Sequence, residues 1–288
     1  MNASIESSPA ATALAGVLEP SPRMPVLFVG HGSPMNAIER NAWHLTWRDL
    51  GQELLARPSR PQLILCVSAH WLTPGGWCLT GMAQPRTIHD FGGFPRELFE
   101  QRYPAPGAPD AAKAIARLLN DPHTGAALAV DESEWGLDHG AWSVLGPMFP
   151  AAYIPVVQLS MPYERPIPEH FGLGRQLAVL RDFGVLIVAS GNIVHNLRAL
   201  RTEAGINATY TWANAFDSRV AQAVQQVDWQ ALMAFQQWGE IAQMAQPTHD
   251  HYLPLLYAAG AVHEGEPLRF FNTGFQMAGI SMRSMSWG

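Results

Sequence analysis

The sequence predicts an α/β fold: one domain with a mostly parallel central sheet, helices on both faces, and its chemistry at the carboxyl ends of the strands. Three observations predict it. Short continuous apolar runs alternate with helical periodicities, the connections between them are short and rich in Pro and Gly, and several of the runs lead directly into a histidine.

Four runs read as buried strands, being largely β-branched or Leu and bounded by Gly, Pro or polar residues: Val26 to Val29, Leu63 to Val67, Ile154 to Leu159 and Val185 to Val188. The intervening patterns read as helices over Asn36 to Ala56, Ala108 to Leu119 and Glu169 to Asp182, with a longer stretch from Trp212 to about Met244, broken near Asp228. Gln84 to Pro95, Tyr103 to Pro109 and Met161 to Pro168 read as loops, none long enough to separate domains. Pro267 to Asn272 and Ile280 to Ser286 suggest a final strand pair. Residues 1–22, rich in Ala, Ser and Pro with Glu6 early, read as a disordered tail without a secretory pattern, leaving residues 23–288 as the domain.

Of the 288 residues 48% are hydrophobic and 15% charged, enough apolar content for a sizeable core. The net charge of −6, with no run of Lys or Arg, excludes a phosphate-tracking basic stripe, so no nucleic-acid partner is expected. No apolar stretch approaches the roughly 18 residues that span a bilayer, so a cytoplasmic protein without a membrane partner is expected. Cys66 and Cys78 form no metal or redox pair and read as buried free thiols. Oligomer formation is left open.

The histidines carry the functional argument. Gly30-His31-Gly32-Ser33-Pro34 follows the first strand, Ala69-His70-Trp71 the second, and Ala189-Ser190-Gly191-Asn192-Ile193-Val194-His195 the strand from Val185. In open α/β sheets that edge binds ligands, and neutral imidazole is the commonest protein metal ligand. A fourth candidate is His251 in Thr248-His249-Asp250-His251-Tyr252-Leu253-Pro254, at the entry of an apolar helix in which Pro254 takes an early position; His249 and Asp250 compete with it as ligands. Thr87 to Pro95 (with His89, Asp90 and Phe91) and Trp135 to Trp142 (with His139) read as Gly-rich loops suited to a flat ligand. His44, His123, His170 and His263 show no partner pattern and are expected at the surface.

These stretches together resemble the DODA-type (4,5-DOPA extradiol dioxygenase) branch of the LigB-like class III extradiol dioxygenases. The resemblance rests on Gly30 to Pro34, Ser68 to Trp71, Thr87 to Pro95 with Tyr103 to Gly107, Gly136 to Trp142, Gly191 to Arg198 and His251 to Gly260, in family order from Met24 to the C-terminus. It implies one divalent metal on His31, His70 and His251, with His195 as a further ligand or the acid/base, and His139 on the substrate side. It also implies a small catechol such as DOPA, opened with dioxygen, most naturally by 4,5-cleavage. His89, Phe91 and Trp71 are the expected ring contacts.

Fe(II) is the expected working metal, because zinc has no accessible redox change, and zinc is expected to compete for the site. Two rivals share some of these residues. A tetrapyrrole metal chelatase explains a His-Gly-Ser turn after the first strand but gives no role to the other histidines. A zinc hydrolase needs a general-base carboxylate, for which Asp250, Asp90 and Asp138 are candidates.

Overall fold

The computed structural model describes residues 8–205 and 208–288. Its main sheet contains β1 (Val26–Gly30), β2 (Leu63–Leu72), β3 (Cys78–Thr80), β4 (Ala129–Asp131), β5 (Val156–Met161), β6 (Val185–Gly191), β7 (Leu268–Phe271) and β10 (Ser284–Trp287); β8 (Phe275–Gln276) and β9 (Ile280–Ser281) form a separate ribbon. The strand order is β4-β3-β5-β2-β6-β1-β10-β7. The four inner strands β5, β2, β6 and β1 are mutually parallel, whereas β10 and β7 extend the sheet antiparallel beyond β1 and β3 lies antiparallel to β5.

The inner strands read as continuous apolar runs because successive side chains feed two cores. Val26, Phe28, Leu63, Leu65, Val185 and Ile187 face one core, closed by helices Pro109–Leu118, Ile167–Leu177, Thr211–Gln225 and Leu253–Gly260. Leu27, Val29, Ile64, Cys66, Leu186 and Val188 face the other, closed by helices Ala42–Leu55 and His139–Met148. Burying both faces leaves the strand ends as the place where polar side chains can gather.

The boundaries differ from expectation where local sequence is a poor guide. β2 runs on to Leu72 through an irregularity after Val67, so His70 lies within the strand rather than after it. The long stretch from Trp212 is four pieces: helices Thr211–Gln225, Trp229–Met233 and Glu240–Ala245, and a 3-10 turn over Phe235–Trp238. Asp228 caps the second of these, its Oδ1 accepting from the Ala231 N–H at 2.9 Å. The segment expected as a His139 loop is instead the start of helix His139–Met148. Asp138 is its N-cap, accepting from the Ala141 N–H at 3.1 Å.

The expected disordered tail is corrected over residues 8–22; Met1 to Ser7 lie outside the described residues. Ser8 caps helix Pro9–Leu14, and Ala10, Leu14 and Leu18 are buried in the first core, so this segment packs on the domain. Its Ala-rich composition hid an apolar i, i+4 pair. His170 is corrected as well: it is fully buried, with Nδ1 2.7 Å from the Tyr257 hydroxyl. Cys66 is buried as expected, whereas Cys78 is only half-buried. Among the described residues no helix is long and apolar enough to cross a membrane.

Candidate metal centre

The carboxyl ends of β1, β2 and β6 bring His31, His70 and His195 to one edge, and the turn before helix Leu253–Gly260 adds His251. Close backbone approach makes this convergence possible. A Cβ on Gly191 would lie 2.3 Å from the His251 carbonyl oxygen, so only glycine lets the end of β6 pass the His251 turn, where the Asn192 N–H donates to that same oxygen at 2.9 Å. Gly32 has φ +61°, and a Cβ there would meet Gln276 and Met282 at 2.4 Å.

Donor atoms of His31, His70 and His251 all lie within 4.8 Å of one another. His31 Nε2 and His70 Nε2 are 3.3 Å apart, and His251 Nε2 is buried without a hydrogen-bond partner. Each ring is held from behind. His31 Nδ1 is 3.0 Å from Ser190 Oγ, which itself donates to the Gly140 carbonyl, and His251 Nδ1 is hydrogen-bonded to the Asp250 carboxylate. Nδ1–H bonded to an acceptor leaves Nε2 bare, the tautomer that a metal ligand requires. Asp250, one of the competing ligands, is thereby occupied in orienting His251. Three convergent bare nitrogens, one of them orphaned and buried, fit a divalent cation.

The two remaining histidines flank this set. The His195 ring stacks on His251, with centroids 3.5 Å apart and planes within 6°. The His139 ring lies 3.8 Å from His70. Asp90 joins this second pair, its Oδ2 lying 3.0 Å from His139 Nδ1 and 3.3 Å from His70 Nδ1, while its Oδ1 accepts from the His139 N–H at 3.0 Å. Burial, reinforced by mutual repulsion with neighbouring imidazoles, pushes His31 and His70 well below the ordinary histidine value and His195 down to about 2. Hydrogen bonding to His251 holds the Asp250 carboxyl well below its usual range, against the opposing effect of burial.

The cluster forms the floor of a cavity of about 740 Å³, large enough for an aromatic diol. Phe91, Phe94, Met35, Met277, Ile280 and Glu39 are among the residues that line its wall. Of the expected ring contacts only Phe91 lines the cavity. His89 stands behind it, packed against Phe91 and Trp142 with Nε2 3.1 Å from the Gln101 carbonyl oxygen, and Trp71 is stacked on Trp135. Sequence reasoning missed the orienting roles of Asp90 and Ser190, although Asp90 directly follows His89 in an aromatic Gly-rich loop.

A family model described as the catalytic LigB subunit of aromatic ring-opening dioxygenase matches residues 23–284. The chain is 44% identical over 278 residues to 4,5-DOPA dioxygenase extradiol of Escherichia coli (strain K12), a match covering 94% of this chain and 97% of that protein. It is 35% identical over 237 residues to 4,5-DOPA dioxygenase extradiol of Beta vulgaris, covering 82% and 86% respectively. Among solved structures, that of uncharacterized protein JW3007 from Escherichia coli K12 superposes with a TM-score of 0.78 at 39% identity, over 92% of this chain and all of the other.

These matches give no support to a chelatase or a hydrolase. The carboxylates a hydrolase would need are engaged as well: Asp250 by His251, Asp90 by His139 and His70, and Asp138 by Ser68, Gln158 and the helix it caps. LigB ring-opening dioxygenases are metal-dependent, and this chain carries a His/Asp group able to hold the ion. The chain belongs to the LigB family, the catalytic subunits of aromatic ring-opening dioxygenases.

Proposed function

We propose that this enzyme opens the ring of a catechol beside its diol, with DOPA as substrate and 4,5-cleavage as outcome, using one Fe(II) held by His31, His70 and His251. The observation that carries the reading is the three-imidazole set at the floor of an open, aromatic-walled cavity. Relatives covering most of this chain are named for that activity. A redox-active divalent metal supplies the electron path that singlet catechols and triplet dioxygen otherwise lack, and zinc, which binds such donors more tightly, is an inert competitor.

The chain's own residues supply position and proton traffic. Asp250 and Ser190 hold two of the ligand rings, and Asp90 braces the third together with His139. His195, kept neutral by burial, accepts a proton from a catechol hydroxyl, and the negative charge left on the diol raises the basicity of the imidazole beside it. His139, on the other flank, returns a proton later in the reaction. The apolar wall of Phe91, Phe94 and Ile280 seats the ring and excludes water. In this reading the protein acts in the cytoplasm on small molecules alone.

The test is anaerobic reconstitution with Fe(II) or with Zn(II), followed by addition of DOPA and air. A yellow ring-opened product with iron and none with zinc is expected; product with zinc alone would refute the redox argument.

A further inference from the structure

The cavity wall has an uneven charge that the ring-opening chemistry does not use. Among its lining residues the only side chains of fixed charge type are two carboxylates, Asp90 and Glu39, with no lysine or arginine. Asp90 is committed to His139 and His70. Glu39 is exposed on the wall and forms no ion pair among the described residues; Arg40, Arg198 and Arg201, on neighbouring segments, are not among the lining residues.

Glu39 is tied to the site by a chain of amides. The Asn41 side-chain amide donates to Glu39 Oε2 at 3.4 Å and to Asn36 Oδ1 at 2.9 Å. Asn36, fully buried, donates in turn to the His31 carbonyl at 3.0 Å, while Gln276 donates to Asn36 Oδ1 at 3.0 Å and its Oε1 accepts from the Ser33 N–H at 2.8 Å. The carboxylate therefore belongs to the same framework as the first metal-binding candidate. A cleft of one charge sign with apolar walls focuses its field on an entering ligand.

We propose that Glu39 selects the charge carried by the substrate's ring substituent, so that the cavity takes catechols bearing an ammonium group in preference to those bearing only a carboxylate. This rests on the ring-opening reading and adds its substrate class: catecholamines first, zwitterionic catechol amino acids next, catechol acids last.

The experiment measures anaerobic binding of dopamine, DOPA, dihydroxyphenylpropionate and uncharged methylcatechol to the zinc-loaded protein, in the wild type, Glu39→Gln and Glu39→Lys. The wild type should bind in the order dopamine, DOPA, dihydroxyphenylpropionate. Glu39→Gln should shrink the amine-to-acid ratio about three- to tenfold, as for a partly screened ion pair, and Glu39→Lys should reverse the order. A wild type that binds the acid as well as the amine, or a ratio unmoved by Glu39→Gln, overturns the proposal. Turnover of methylcatechol by the iron-loaded wild type separately tests ring opening: its absence with the binding order intact refutes that reading and leaves the charge selection standing.

Discussion

Asp90 Oδ2 lies 3.0 Å from Nδ1 of His139, and the other carboxylate oxygen of Asp90 accepts from the His139 backbone N–H. Because the same Oδ2 also approaches His70 Nδ1 at 3.3 Å, one carboxylate braces a ring of the candidate metal set and the ring that flanks it. Hydrogen bonding to His139 depresses the Asp90 carboxyl although burial opposes it, so the carboxylate form is the one that holds the pair.

Asp90→Ala should therefore impair both rings. Partners behind ligand histidines are typically worth about 10- to 100-fold in metal affinity or activity. We expect losses of that order in turnover at saturating metal, together with weaker metal retention in a chelator competition. Full activity in the variant would show that the rings keep their orientation without it.

Removing Asp250 and removing His195 should have separable effects. Asp250→Ala frees the His251 ring to rotate and should weaken metal binding about 10- to 100-fold. His195→Gln should leave metal binding close to wild type while lowering turnover about 10²- to 10⁴-fold, the usual worth of a positioned acid/base. Metal titration run beside initial rates distinguishes them. Loss of metal in His195→Gln as severe as in His251→Ala would make His195 a ligand.

Much of this site was legible because strand ends are punctuated in sequence. His31 and His195 each follow a continuous apolar run, and Pro254 marks the helix start beside His251. Helix His139–Met148 was hidden: nine of its ten residues are buried, so it shows no polar face, and Gly140, Gly146 and Pro147 look like loop residues. β3 and β4, three residues each, are too short for periodicity to register. The Asp90 bridge joins residues 20 and 49 positions away from it in the chain, a pairing that no local pattern encodes.

Acidification should destabilise the fold partly through His170. Trp77 Nε1 donates to the Tyr257 hydroxyl at 2.6 Å, which leaves the Tyr257 O–H to donate to His170 Nδ1. Burial holds His170 down to about 4, so the folded protein refuses a proton that the unfolded chain takes up near the ordinary value of 6.5. The unfolded state binds more protons between these two values, so stability present above pH 6.5 is lost as pH falls toward 4, by about 3 kcal/mol at most. His170→Gln keeps an acceptor for Tyr257 and removes the titration. Urea unfolding at both ends of the window should show a smaller acid loss in the variant than in wild type, the other histidines contributing equally to both. Equal losses would remove His170 from the account.

A buried cation serves as a clasp between distant segments of the chain. Arg181, fully buried, pairs with Glu266 through two contacts of 2.7 Å and donates to the carbonyls of Met24 and Ala261 at 2.7 and 2.6 Å. It thus ties the approach to β1 to the end of helix Leu253–Gly260, whose start carries His251. Breaking a buried pair by removing one partner costs about 3–5 kcal/mol, and Glu266→Gln should show a loss of that order in urea unfolding. Replacing both partners by apolar residues restores stability in pairs that serve only each other. Here Arg181→Met with Glu266→Leu should remain destabilised, because two buried carbonyls would still lack their donor. A double variant as stable as wild type would mean that those carbonyls find other partners and that the clasp is the ion pair alone.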